Sequence, residues 1–350
     1  MSNGRRTIAC FLVGLGALLL VAAVMIPSYT VGKVAKTPLD LRITTVAKSV
    51  PGEESLVLDS KSLTSPEGSA KVDTNVPIVS QRFLTVEEPS DADQMTVQAG
   101  QTLRRDDREG DTGLLTASID RVTIDRKTGE PIPVSPNGSI AVSVDRTGAS
   151  VADPSQRAGL QYRFPIGTEK KSYPYFDLNA RATYDIEYVE ESEINGVPVY
   201  HFRQTIPVTN MWDVVQAPTN KLTLPAAKWG LEGEEPVTMT RFYTNTRDVW
   251  VEPKTGAVLK GGEQIHLFYG RSANQVDVTA LKSHIVFDEK TIDSQLAVTQ
   301  ESLDRLTLFG RTLPIALAIL GVIALIAGIV LGVRRGASRG GPVGRPTGRF

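Results

Sequence analysis

The sequence predicts a mainly β protein: a large antiparallel β-barrel or curved-sheet domain carried between two terminal transmembrane helices. Three observations support this. Two runs of about twenty residues, one near each end, are long and apolar enough to cross a bilayer as helix. Period-two alternation of apolar and polar side chains recurs through the middle of the chain. No stretch alternates strand with crossover helix, as a parallel sheet requires.

The first run, residues 7–26, holds no ionisable group except the thiol of Cys10. It exceeds the apolar core of a signal peptide, and Met25-Ile26-Pro27 lacks a small-x-small cleavage site, so the helix is read as retained. The second run is residues 313–333. Residues 1–6 and 334–350 flank the pair, and they carry Arg5, Arg6, Arg334, Arg335, Arg339, Arg345 and Arg349 but no Asp, Glu or Lys. The positive-inside rule places both termini in the cytoplasm, so residues 27–312 form a domain outside it, periplasmic in a plasma-membrane protein. Overall, 38 basic groups face 39 acidic ones; setting aside those seven arginines leaves 31 against 39, about −8 for the exported part. That balance gives no electrostatic footprint for nucleic acid. The second helix carries Gly321, Ala324, Gly328 and Gly332 on one face, where small side chains permit close pairing with another helix. The Gly- and Arg-rich tail after Val333 cannot build a core and is expected to be disordered.

Within the exported part, residues 114–125, 182–189 and 197–208 alternate as strands. Asn195-Gly196, between the last two, supplies the positive φ angles of a tight hairpin turn. A second hairpin runs through residues 247–252 and 257–259 around Pro253-Lys-Thr-Gly256. Asp125-Arg-Lys-Thr-Gly129 has a similar turn sequence, a hint of two similarly built halves. Residues 288–308 read as a helix bearing Ile292, Leu296, Leu303, Leu306 and Leu308, with residues 309–312 joining it to the second span. Residues 51–71 and 88–93 read as polar loops.

Signatures of catalysis are missing. The three histidines, His201, His266 and His284, stand far apart, and one cysteine allows neither a disulfide nor a cysteine-rich zinc site. Neither a nucleophile elbow nor a nucleotide-binding glycine loop occurs, so neither catalytic residues nor cofactors are assigned. Asp91-Ala92-Asp93 reads as a solvated loop. The densest unusual stretch is residues 159–177, in which five aromatics interleave with three cations. Aromatic faces with Arg and Lys suit a sugar ring or a phosphorylated headgroup, so Arg163, Lys170, Lys171, Tyr173, Tyr175 and Asp177 are the candidate ligand contacts. The alternative is a core crossing with aromatics inside and cations at the rim.

That stretch, together with Tyr184-Asp-Ile-Glu-Tyr188, Asn195-Gly-Val-Pro-Val-Tyr200 and the Asp248-Val-Trp250-Val-Glu252-Pro-x-Thr-Gly256 hairpin, resembles an actinobacterial family of envelope proteins, the PorA porin family. The resemblance covers nearly the whole chain. It implies a cell-envelope protein linked to maturation of lipomannan and lipoarabinomannan, and it carries over no catalytic residue. The expected function is therefore a non-enzymatic membrane factor that binds membrane lipid or lipoglycan. The alternatives are a glycan-acting enzyme and an accessory subunit of a polyprenyl-phosphate-dependent glycosyltransferase.

Overall fold

The computed structural model describes residues 3–30, 35–143 and 150–333, so the expectation of a disordered tail after Val333 lies outside the described residues. The chain divides into two compact units, one of residues 1–35 and 301–350, the other of residues 36–300.

In the first unit, α1 (Asn3–Met25) continues into a π-helical turn (Ile26–Thr30). Helix α2 (Glu289–Thr307), which begins in the second unit and ends in the first, is joined to α3 (Leu313–Val333) by a π-helical turn (Leu308–Thr312) where sequence alone suggests a short linker. Nothing at residues 309–312 breaks the helix, since no proline follows until Pro314, inside α3. The helices α1 and α3 run antiparallel and approach closely at glycine. A Cβ on Gly16 would stand 2.7 Å from the Gly321 carbonyl oxygen, and one on Gly328 would stand 2.8 Å from Val13 Cγ2. Gly321 and Gly328 therefore face α1, whereas Gly332 has open space around it. Such backbone proximity is how helices gain dispersion energy where no hydrophobic force acts between them.

The second unit is built on one antiparallel sheet of fifteen strands. They are β1 (Arg42–Ser49), β2 (Leu56–Asp59), β3 (Lys71–Thr74), β4 (Ile78–Glu87), β5 (Gln94–Arg105), β6 (Leu114–Asp125), β7 (Gly138–Ser143), β8 (Ser150–Ser155), β9 (Tyr173–Asp177), β10 (Ala182–Ile194), β11 (Val197–Asn210), β12 (Lys221–Pro225), β13 (Pro236–Glu252), β14 (Ala257–Gly270) and β15 (Val278–Phe287). Their order is β8-β7-β6-β5-β4-β1-β15-β14-β13-β11-β10-β9, with β12 added to β13 and β2 and β3 added beside β15. The ladder is an open, curved sheet. Its ends nonetheless meet: Leu160, just after β8, forms a parallel bridge with Tyr175 of β9, and Arg181 pairs with Asp153 at 3.2 Å. The curvature buries one face of each strand, and alternate residues such as Ile186, Phe202, Gln204, Ile206 and Met239 lie fully inside.

Local turn chemistry sets the hairpins. Asn195 and Gly196 take φ of 48° and 82°, the left-handed pair that a two-residue turn needs. One sequence expectation is corrected. Residues 51–71 are not simply a polar loop, because they contain β2 and a one-turn helix (Ser60–Thr64) capped by the Asp59 carboxylate. The stretch is too short and its strand partner, β15, too distant for a local signal. The helix expected over residues 288–308 is present as α2; its buried residues are Thr291, Gln295 and Thr299, while Ile292 and Leu296 are half-buried. The reason is polar anchoring: the Thr291 hydroxyl accepts from the Val46 amide at 3.0 Å and donates to its carbonyl at 3.2 Å.

Candidate functional site

The aromatic–cationic stretch begins as a strap laid across two matching turns. In one turn the Asp125 carboxylate accepts from the amides of Lys127 (2.8 Å) and Thr128 (2.7 Å). In the other, Glu252 accepts from those of Lys254 (3.0 Å) and Thr255 (2.8 Å). Gly129 and Gly256 close them with φ of 75° and 70°. Across both runs the strap: the Phe164 amide donates to the Gly256 carbonyl (2.9 Å), Ile166 to Lys127 (3.0 Å) and Thr168 to Pro253 (2.7 Å). Each turn thus gives carbonyl groups to the strap, and the first also takes Thr37 at its Arg126 carbonyl (3.0 Å).

The six candidate contacts separate on this frame. The Arg163 guanidinium donates to the Thr255 carbonyl at 2.6 Å and has no carboxylate in ion-pair contact among the described residues, and burial pushes its pKa down to about 10. Tyr173 and Tyr175 are buried with Phe164 and Phe202, the last two rings 4.7 Å apart, and the Tyr175 hydroxyl donates to the Gln161 carbonyl. Asp177 is wholly inside; it accepts from the amides of Asn179 (3.0 Å) and Ala180 (2.8 Å) and from Arg247 (2.9 Å). Only Lys170 and Lys171 reach the surface, where they pair with Glu191 (2.6 Å) and Glu169 (3.1 Å). The stretch is a core crossing with two cations at its rim.

Behind it a belt of polar side chains crosses the sheet interior, and sequence gave no warning of it because its members come from many strands. Arg247 of β13 donates to Asp177 (2.9 Å), to Glu263 of β14 (2.9 Å) and to Gln204 of β11 (2.5 Å). Tyr243 adds its hydroxyl to Asp177 at 3.2 Å. Arg82 of β4 donates to Gln101 at 3.2 Å and lies over the Tyr162 ring. Tyr162 in turn donates to Asp120, which Arg157 grips with both ends of its guanidinium. Burial disfavours the charge on Glu263, but Arg247 and Arg82 outweigh it and hold the carboxyl below its usual range. The Tyr162 phenol is pushed well up, by burial first and then by Asp120. Glu263 is thus held as a carboxylate paired with Arg247 at 2.9 Å. The belt is suited to fixing strands in register.

On the other face of the sheet, His201, Trp250 and Lys260 stand side by side on β11, β13 and β14. The imidazole stacks on the indole at 4.5 Å, and the Lys260 ammonium also stands 4.5 Å from the indole centre. His201 Nε2 lies 2.6 Å from Asp248, whose carboxylate also takes Arg203 at 2.9 Å. Among the described residues no three of His, Cys, Asp and Glu converge as metal ligands. The Asp91-Ala92-Asp93 loop is an Asx turn, in which Asp91 accepts from the amides of Asp93 (2.8 Å) and Gln94 (3.0 Å).

A shallow, open concavity of about 280 Å³ lies across β5, β6, β7 and β8, lined by Pro89, Pro136 and Pro154 and by Thr123, Ser139 and Arg121. Arg121 is exposed, donates to the Glu88 carbonyl, and has no carboxylate in ion-pair contact among the described residues.

The comparisons agree with the architecture. The Porin PorA family profile matches residues 8–330. A protein named Porin PorA from Corynebacterium amycolatum is 32% identical over 93% of this chain and 98% of its own length. Another of that name, from Corynebacterium resistens, is 30% identical over 93% of this chain and 96% of its own. With two membrane-length apolar helices and relatives of this kind, the chain is a membrane-associated envelope protein, and it belongs to the PorA porin family.

Proposed function

We propose that this protein is a two-pass plasma-membrane factor, both termini cytoplasmic and the β domain periplasmic, that acts by binding and not by catalysis. Its ligand is a membrane lipid or lipoglycan with an anionic headgroup, and its contribution is to the maturation of lipomannan and lipoarabinomannan that the family resemblance implies. The observation that carries the reading is Arg121, an exposed guanidinium with no carboxylate partner among the described residues, which lines a concavity together with Pro89, Pro136, Pro154, Thr123 and Ser139. Charge-assisted hydrogen bonds from such a group hold phosphate or carboxylate, while the rings cover apolar parts of the ligand. The interior carboxylates support the non-catalytic half of the reading, since the belt sets Arg247 between Asp177 and Glu263.

The relatives' name favours a second reading, a channel. Two helices packed on each other at Gly16, Gly321 and Gly328 enclose no lumen between them, so a channel would need either several copies or a pore formed by the strands. Native mass spectrometry of the full chain, released from mild detergent, separates the two. The binding reading predicts a lipid adduct of defined mass, reduced about tenfold or more in Arg121→Gln, the loss expected on removing a charged hydrogen-bond donor. A Lys170→Gln/Lys171→Gln variant should keep both adduct and stability, because exposed ion pairs contribute only about 0–1 kcal/mol. Loss of the adduct from the lysine variant alone would move the site to the strap. Absence of any adduct, with stepwise conductance in planar bilayers, would favour the channel.

A further inference from the structure

The outer strand β10 is only half covered. Its residues 182–186 pair with β9, and its remaining residues, 187–194, pair with β11 on one side and with no strand on the other. This free edge presents a row of unused backbone donors and acceptors. Four of its eight residues are exposed glutamates, Glu187, Glu190, Glu191 and Glu193, and a bulge interrupts the ladder between Tyr188 and Glu190.

Two details show what these carboxylates receive. Glu191 already holds an ammonium, that of Lys170, at 2.6 Å. Glu190 faces His201, whose side chain is 8% exposed and whose Nδ1, without a hydrogen-bond partner among the described residues, stands 3.9 Å from the carboxylate. Glu187 and Glu193 have no ion pair among the described residues. We propose that the free edge of β10, residues 187–194, is a docking site for an extended polypeptide segment rich in lysine or arginine, which adds to the sheet as a further strand. Backbone hydrogen bonds to the edge supply affinity, and the glutamates select the sign of the partner's charge. A second copy of this edge is excluded as the occupant, because glutamates would face glutamates. This inference is independent of the lipid reading and uses a different part of the sheet.

The test uses the full chain in nanodiscs and a fluorescent peptide of alternating lysine and valine. Binding followed by anisotropy should weaken about tenfold or more in a Glu187→Gln/Glu190→Gln/Glu193→Gln variant, the effect expected from losing complementary charge. A peptide methylated on alternate backbone nitrogens keeps its charge but cannot complete a ladder, and it should also bind about tenfold or more weakly. Hydrogen exchange at residues 187–194 should slow on binding. Equal affinity of the methylated peptide would show simple polycation attraction and overturn strand addition. Equal affinity of the glutamine variant, or no binding to the native chain, would overturn the site.

Discussion

Arg247→Met should lower the melting temperature of the β domain by about 10 °C, a loss of roughly 3–5 kcal/mol for a broken buried ion pair in a domain of this size. The substitution keeps much of the side-chain volume and removes the one cation that Asp177 and Glu263 share at 2.9 Å each. Asp177 is wholly inside the fold, so water cannot replace what it loses. The pH dependence gives a second readout. Burial alone would raise the Glu263 pKa, and Arg247 and Arg82 reverse this, so the folded value lies below the unfolded one. Such a group stabilises the native chain above its unfolded pKa, and that stability is lost as pH falls through the folded value. In the variant the burial effect prevails at Glu263, and protonation then favours folding. The gap between native and variant melting temperatures should therefore narrow from pH 7 toward about pH 4. Adding Glu263→Gln to the variant should recover part of the loss, because it removes one of the two stranded carboxylates. A variant within about 2 °C of the native protein would mean that the belt does not bind these strands together.

Gly256→Ala should be nearly as damaging, and Gly129→Ala clearly less so, although the two turns match in sequence and geometry. Both glycines hold positive φ, which costs an L-residue about 1–2 kcal/mol. They differ in what lies beside them. A Cβ on Gly256 would stand 2.1 Å from the Phe164 carbonyl oxygen, whereas one on Gly129 would stand 3.1 Å from that of Arg163. The first contact cannot be relieved by a side-chain rotation. It must push the strap away, lengthening the bond from Phe164 to Gly256 and disturbing Phe164, which is fully buried. We expect losses of more than about 3 kcal/mol at Gly256 and about 1–2 kcal/mol at Gly129, read as ordered melting temperatures. Equal losses at the two positions would show that the strap is not seated on the Gly256 turn.

The hairpins were legible in the sequence because turn chemistry is local. Asn195-Gly196 and Pro253-Lys-Thr-Gly256 each name their own backbone angles, and both turns lie where they were expected. Strand lengths were not legible: β13 begins at Pro236, well before the expected 247, since Thr, Arg, Tyr and Asn alternate along it and one face of those polar residues lies inside. β2 escaped notice because its partners are β3 and the distant β15, and only the folded sheet supplies the surface that holds it. Residues 159–177 stood out by composition, but composition does not distinguish a binding face from a core crossing. Burial of Tyr173, Tyr175 and Asp177 does. The belt joining Arg247, Asp177 and Glu263 draws on strands far apart in the chain, and no spacing in the sequence announces it. Arg121 carried no signal either, because its concavity is assembled from prolines in three separate segments.

The proposed topology puts the β domain outside the cytoplasm, between two helical spans, with its strands in water. Cysteines placed singly at Ser135 and Ser272, both exposed, in a Cys10→Ser background test it directly. With the outer layers of the envelope permeabilised and the plasma membrane intact, an impermeant thiol reagent should label both positions as completely as it does after lysis. Protection of either cysteine in intact cells, relieved on lysis, would place that part of the domain in the membrane or in the cytoplasm and contradict the account.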